Sequence, residues 1–287
     1  MIPEIYISGI FLMTVMKLFS AIIFSTLLLV DHDLQAQEVF LPGSRVQALA
    51  GSSSVLSDCW SVFGNQAGLA VINRIEIGGS FENRFLVNEL STRAGLLVVP
   101  IQSSVFAVSF YQFGKIPFRQ DKLGIAYARH LSEKFNFGLQ FNYYWLFFSE
   151  ENRSLGSAGV ELGFQYLVTS QLMLGIHVVN PYKTAIKTSS GNFPYPSLIN
   201  FGVLYHLSES FSMMSELENN LTNHLKVRTG MEYNIRNRIY LRTGVSGKPY
   251  QLSAGFGFHL KKLTMDLSTT YHQYLGSTPS ISFQLQL

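Results

Sequence analysis

The sequence predicts an all-β chain that closes into an antiparallel transmembrane β-barrel of about fourteen strands. Three observations predict it. Apolar residues make up 47% of the chain and charged ones 14%, below the roughly 25% charge of soluble domains, yet no later apolar run reaches the roughly 20 residues of a spanning helix. From residue 74 onward, short segments alternate large apolar side chains with small or polar ones at period two. Tight turns and longer loops also alternate between these segments, as in barrels whose two rims differ in loop length.

The first apolar run, residues 18–30, follows Lys17 and precedes Leu34-Gln35-Ala36. Residues 1–36 are therefore expected to be a signal peptide, with translation starting at Met16 and cleavage before Gln37. An anchor helix is the competing reading, but the apolar core is short for a span. Cys59 is the single cysteine, so no internal disulfide framework exists and stability must come from the sheet. The formal charge of +3 is small and no Lys/Arg cluster interleaves with aromatics, which excludes nucleic acid as a partner.

Residues 37–73 are rich in Gly, Ser and Ala and lack strand alternation. Strands are then expected at residues 74–82, 91–99, 103–113, 122–131, 135–146, 157–167 and 171–180, and again at 197–207, 211–219, 225–233, 239–246, 250–260, 263–272 and 279–287. Tight turns fall at residues 131–134, 168–170, 207–210, 234–237 and 261–262. Longer loops fall at residues 114–121, 148–155, 181–196, 220–224 and 273–278. Residues 74–287 thus form the expected barrel, and an even strand count leaves both chain ends on the periplasmic side of an outer membrane.

Period two alone does not say which face meets lipid, because a lipocalin-like soluble barrel shares it with the faces reversed. Face chemistry separates the two. In FNFGLQFNYYW, residues 135–145, Phe135, Phe137, Leu139, Phe141 and Tyr143 share one face, while Asn136, Gly138, Gln140 and Asn142 share the other. Bulk outside and small or amide groups inside fit a lipid-facing wall around a narrow lumen, whereas a dry core would want the bulk within. Closure follows from the backbone: in hydrocarbon each unpaired N–H or C=O costs several kcal/mol, so the sheet has no free edge.

Pairing parity puts Glu216 and Glu218 on the polar face of one strand and Lys226 and Arg228 on that of the next. Folding this hairpin sets Glu218 opposite Lys226 and Glu216 opposite Arg228. The following hairpin is expected to bring Arg242 near Gly230 and Glu232 near Tyr240. With Glu161 these charges form a matched lumen ladder, each pair contributing roughly 0.2–1 kcal/mol; a polar pathway is the sharper alternative. No catalytic, cofactor-binding or metal-binding set emerges: the histidines are scattered singly, and neither an HExxH nor a GxSxG is present. No cofactor is expected.

Residues 43–70, GSRVQALAGSSSVLSDCWSVFGNQAGLA, contain Gly43, Arg45, Ala48, Leu49 and Gly51, then Asp58, then Asn65, Ala67, Gly68 and Leu69. This stretch resembles the N-terminal signature of the PorV/PorQ branch of the FadL-like outer-membrane β-barrel proteins of Bacteroidetes type. There, G-x-R-x-x-A-L-G-G precedes an acidic residue, an aromatic and N-P-A-G-L. Ala50 and Gln66 depart from it, replacing a glycine and a proline. The resemblance implies that residues 37–73 tuck into the lumen as a plug, with Gly43, Arg45, Gly51, Asp58, Asn65 and Gly68 as its motif; a loose periplasmic tail is the competing reading.

The resemblance also implies two functional classes, neither enzymatic. One is a PorV/PorQ-like accessory barrel that binds secretion-system proteins of type IX secretion. The other is a FadL-like transporter for a hydrophobic small molecule. Outer-membrane lipid is a partner in both. Because the loops are short, the expectation leans to the accessory barrel, with Tyr182, Phe193 and Tyr195 of the one sizeable loop as candidate external contacts.

Overall fold

The computed structural model describes residues 41–148, 153–188, 191–220, 224–247 and 249–287. The expected leader, with its start at Met16, and residues 37–40 of the expected plug lie outside the described residues.

Fourteen antiparallel strands close into one barrel. They are β1 (Glu76–Asn83), β2 (Ser91–Ile101), β3 (Ser104–Lys115), β4 (Phe118–Ser132), β5 (Phe135–Phe148), β6 (Arg153–Leu167) and β7 (Leu172–Val179), then β10 (Leu198–His206), β11 (Phe211–Asn220), β12 (His224–Ile235), β13 (Ile239–Ser246), β14 (Gln251–Leu260), β15 (Leu263–His272) and β16 (Gly276–Gln286). Strand β1 pairs with β16 from Glu76↔Gln286 to Glu82↔Ser280, which seals the cylinder. No helix among the described residues is long and apolar enough to cross a membrane.

The alternation sets which residues face out. On β5, Phe141 is 59% exposed whereas its neighbours Gln140 and Asn142 are buried at 0% and 4%. The same large-out, small-in pattern holds on β14 and β15, where Leu252, Phe258 and Leu267 are exposed and Ser253 and Asp266 are buried. Strands β2 and β3 differ in being apolar on both faces. Their inward Leu96, Val98, Val105 and Ala107 pack against Trp60, Val62, Phe63 and Leu69 of the N-terminal segment.

That segment fills the lumen. It comprises a short helix α1 (Ser44–Ala48) and two 3-10 turns, Cys59–Val62 and Gln66–Val71, with most of residues 41–70 buried. The inward glycines of the wall mark where its backbone leans. A Cβ on Gly138 would strike the backbone of Gln66 and Ala67, one on Gly175 would strike Ser54, and one on Gly244 would meet Ala50 N at 2.7 Å. Small inward residues therefore serve close packing of a plug. Replacing Gly138 by valine is expected to unseat the plug, at roughly 1–3 kcal/mol for overpacking, while the barrel still closes; protease cleavage within residues 41–72 should rise, and unchanged protection would disprove the contact.

Several expectations about connections need correction; the loop expected at residues 273–278, for one, is only residues 273–275, since β15 ends at His272 and β16 starts at Gly276. The loop expected at residues 114–121 is only Ile116-Pro117, because β3 and β4 run on past the predicted ends and Phe118 packs on Phe148, ring centres 5.3 Å apart. The loop at residues 181–196 holds its own two-stranded arm, β8 (Ala185–Thr188) with β9 (Gly191–Pro194). In the β12–β13 hairpin the turn is residues 236–238, with Arg236 and Asn237 both at positive φ. Its register therefore pairs Glu232 with Arg242 and Gly230 with Gly244, two residues away from the expected Arg242–Gly230 and Glu232–Tyr240 pairs.

Candidate functional site: the plugged lumen and its aromatic mouth

The plug is fastened to the wall by buried polar groups. Arg45, on α1, donates from Nε and Nη2 to both oxygens of Glu232, at 3.0 and 2.9 Å, and from Nη1 to Asp58 Oδ2 at 2.7 Å. Such a bidentate fork fixes orientation as well as charge. Arg242 donates to Glu232 at 2.6 Å and to Asp266 at 2.5 Å. Asp58, Arg45, Glu232, Arg242 and Asp266 thus form one alternating chain across the lumen. Burial acts to lower the Arg45 pKa, but Glu232 and Asp58 outweigh it and hold the guanidinium above its ordinary value; it is always charged.

Asp58 has a second task, since its Oδ1 accepts from Trp60 N at 2.9 Å and so caps the first 3-10 turn. Gly43 adopts φ +109, and a Cβ there would lie 2.9 Å from the Trp60 ring. Gly68 is fixed for space, because a Cβ would collide with Leu56 O. Asn65 donates to Ser54 O at 2.6 Å and to Phe164 O on β6 at 3.0 Å, joining plug to wall.

Glu216 receives the plug's backbone. Its Oε2 accepts from Ser53 N at 2.8 Å and Ser54 N at 2.6 Å, and from the Ser54 hydroxyl, while Oε1 accepts from Arg228 Nη1 at 3.1 Å. Arg228 also reaches Gly51 O at 3.3 Å and Glu218 Oε2 at 2.7 Å. Lys226 stands opposite Glu218 in the register. Glu216, Arg228 and Glu232, read as members of a ladder between strands, are therefore equally plug anchors, and no sequence spacing records that use.

Glu161 belongs to a different set. It accepts from Lys122 Nζ at 2.5 Å, Asn142 Nδ2 at 2.8 Å and plug Gln66 Nε2 at 2.8 Å, and His177 Nε2 lies 3.1 Å away. Gln66, which departs from the motif's proline, thus supplies a wall contact that proline lacks. Lys122 and His177 were not singled out by the sequence, although their inward parity with Gly124 and Gly175 was available as a signal. Among the described residues no group of three His, Cys, Asp or Glu is placed to hold a metal ion.

Above this charged layer the lumen becomes apolar. Tyr144, Leu146, Val179 and Leu198 line the wall, and the β8–β9 arm folds down among them with Ile186 and Tyr195. The Tyr195 ring stacks on Tyr144 with centres 3.7 Å apart, and its hydroxyl lies 3.3 Å from that of Tyr111. Asn180 pins the arm: its Nδ2 donates to Tyr195 O at 3.1 Å and its Oδ1 accepts from Thr184 N at 2.9 Å. Of the three expected external contacts, only Tyr182 is exposed, at 82%. Tyr195 is buried in the mouth and Phe193 is half-buried, 6.5 Å from the Phe118 ring. The expectation is corrected for Tyr195 because the aromatic wall offers its ring more burial than solvent does.

By sequence, no family model and no curated protein matches the chain. Solved structures do. The monoaromatic hydrocarbon channel CymD matches with a TM-score of 0.67 at 14% identity, over 88% of this chain and 99% of that one. The toluene transporter TodX of P. putida matches with a TM-score of 0.67 at 11% identity, over 87% and 99% of the two chains. This chain has their fold. A FadL homologue of Pseudomonas aeruginosa matches as well, with a TM-score of 0.61 at 12% identity over 85% and 98%. These likenesses concern the FadL-type barrel; the PorV/PorQ branch rests on the resemblance of residues 43–70 alone.

Cys59 sits in this plug, fully buried and free. Burial pushes its thiol well up, and Asp58 and Glu76 push it further, so little thiolate exists at neutral pH. A maleimide is expected to leave Cys59 unlabelled in the folded barrel and to label it after denaturation; labelling of the native protein at the rate of a free thiol would show that the plug opens.

Proposed function

We propose that the chain is an outer-membrane barrel that passes a hydrophobic small molecule, received at the aromatic mouth. The tight-turn rim, which carries the start of β1 and the end of β16, then faces the periplasm. The observation that carries this reading is the apolar pocket formed by Tyr111, Tyr144, Leu146 and Leu198, filled by the chain's own Ile186 and Tyr195. A small aromatic solute that displaced the Tyr195 ring would recover its stacking and its burial, at roughly 25 cal/mol per Å² of apolar surface. Polar anchors close the lumen below, so the mouth acts as a capture site above a gate. The fold shared with hydrocarbon channels supports the same class of solute.

The accessory reading, a PorV/PorQ-like barrel for type IX secretion proteins, draws on the motif of residues 43–70 alone. Its candidate gripping loop is folded inward, which weakens it. Uptake of a labelled monoaromatic hydrocarbon into proteoliposomes tests transport. Uptake above that of protein-free vesicles is expected, and it should fall when Tyr144 is replaced by alanine. Rates equal to protein-free vesicles would overturn the proposal.

A further inference from the structure

One polar recess lies on the outer wall, away from the lumen. In the outward row that runs Arg93, Gln112, Asp121 and Trp145 across β2 to β5, side chains turn polar directly above an apolar belt that includes Phe110, Leu123 and Tyr143, all of them exposed. On a spanning barrel, the level at which an apolar belt gives way to polar and aromatic residues is that of the lipid headgroups. Across this boundary, Phe110 of the belt together with Arg119, Asp121, Trp145 and Phe147 surrounds a recess of about 280 Å³.

Its polar groups are incompletely matched. Arg119 Nε lies 3.0 Å from Asp121 Oδ2, yet Nε makes no hydrogen bond among the described residues, and neither does Asp121 Oδ1; both atoms are buried. The Asp121 side chain is 12% exposed and that of Arg119 is 41% exposed, and among the described residues Asp121 is the one ion-pair partner of Arg119, through Nε, so its terminal nitrogens remain for a ligand. The Arg119 guanidinium also stands over the Phe147 ring at 5.7 Å. A buried carboxylate oxygen without a donor costs free energy unless something supplies one.

We propose that this recess binds the headgroup of a zwitterionic phosphoethanolamine lipid; the proposal rests on the membrane-spanning reading above. The primary ammonium donates to Asp121 Oδ1 between the aromatic faces, which attract organic cations. The lipid phosphate takes the free guanidinium donors of Arg119. A headgroup that is anionic only would set its charge against the Asp121 carboxylate. A choline headgroup would bring a cation with no N–H to give, leaving Oδ1 as unsatisfied as before.

The test uses the purified full chain in detergent with an equimolar mixture of phosphatidylethanolamine, phosphatidylglycerol and phosphatidylcholine of identical acyl chains, read by native mass spectrometry. Phosphatidylethanolamine should be retained about tenfold over the other two, a difference of about 1.4 kcal/mol, and Asp121→Asn should abolish that preference. Phe147→Leu, which keeps the wall apolar but removes a ring, should reduce it. Equal retention of the three lipids, or a preference that survives Asp121→Asn in a heat-modifiable, folded barrel, would overturn the headgroup site and leave the membrane reading standing. A chain that stays monomeric in water and retains no lipid would overturn both.

Discussion

Replacing Glu161 by alanine is expected to cost about 3–5 kcal/mol of barrel stability, the range for removing one partner of a buried ion pair. Glu161 is 2% exposed and Lys122 3% exposed, so the substitution strands the Lys122 ammonium in the lumen with its 2.5 Å partner gone. It also removes acceptors from Asn142 and from the plug's Gln66. The measurement is the urea midpoint for unfolding of the barrel in lipid vesicles. A second substitution, Lys122→Met, should recover part of the loss, because an apolar pair of similar volume is tolerated where a lone charge is not. Additive losses in the double variant would refute the coupling.

Replacing Phe141 by arginine comes next, at roughly 2–4 kcal/mol for arginine on the lipid face near the bilayer midplane. Phe141 projects from the middle of β5, is 59% exposed, and pairs with the outward Ile125 and Val160. The readout is the fraction that folds into bilayers of fixed thickness. The inward neighbour provides the control: Gln140, fully buried, faces Glu161 across the β5–β6 pair. A wild-type folding yield for Phe141→Arg would mean that this face never meets hydrocarbon.

The two faces of the wall were legible in the chain. Phe135 to Tyr143 on β5 alternate at a two-residue period, and a period is a local property that is strongly specified where one face is enclosed. The same locality yielded fourteen strands and the Glu216–Arg228 register, where the paired strands follow one another in the chain. It failed one hairpin later. Whether the β12–β13 turn takes residues 234–237 or 236–238 depends on Arg236 and Asn237 adopting positive φ, and a shift of two leaves every side chain on its own face, so the pattern of polar and apolar residues is blind to it.

By itself, then, the sequence determined that this protein is a closed antiparallel barrel with bulk outside and small or polar groups within, because alternation and backbone hydrogen bonding are set between neighbours. What it held back were contacts made across the lumen. Arg45 meets Glu232 over 187 positions and Ser44 meets Ser280 over 236, and the Tyr195 ring turns inward onto Tyr144. Those partners come together only when β1 meets β16 and the cylinder encloses its own N-terminal segment, a condition of closure that no local spacing encodes.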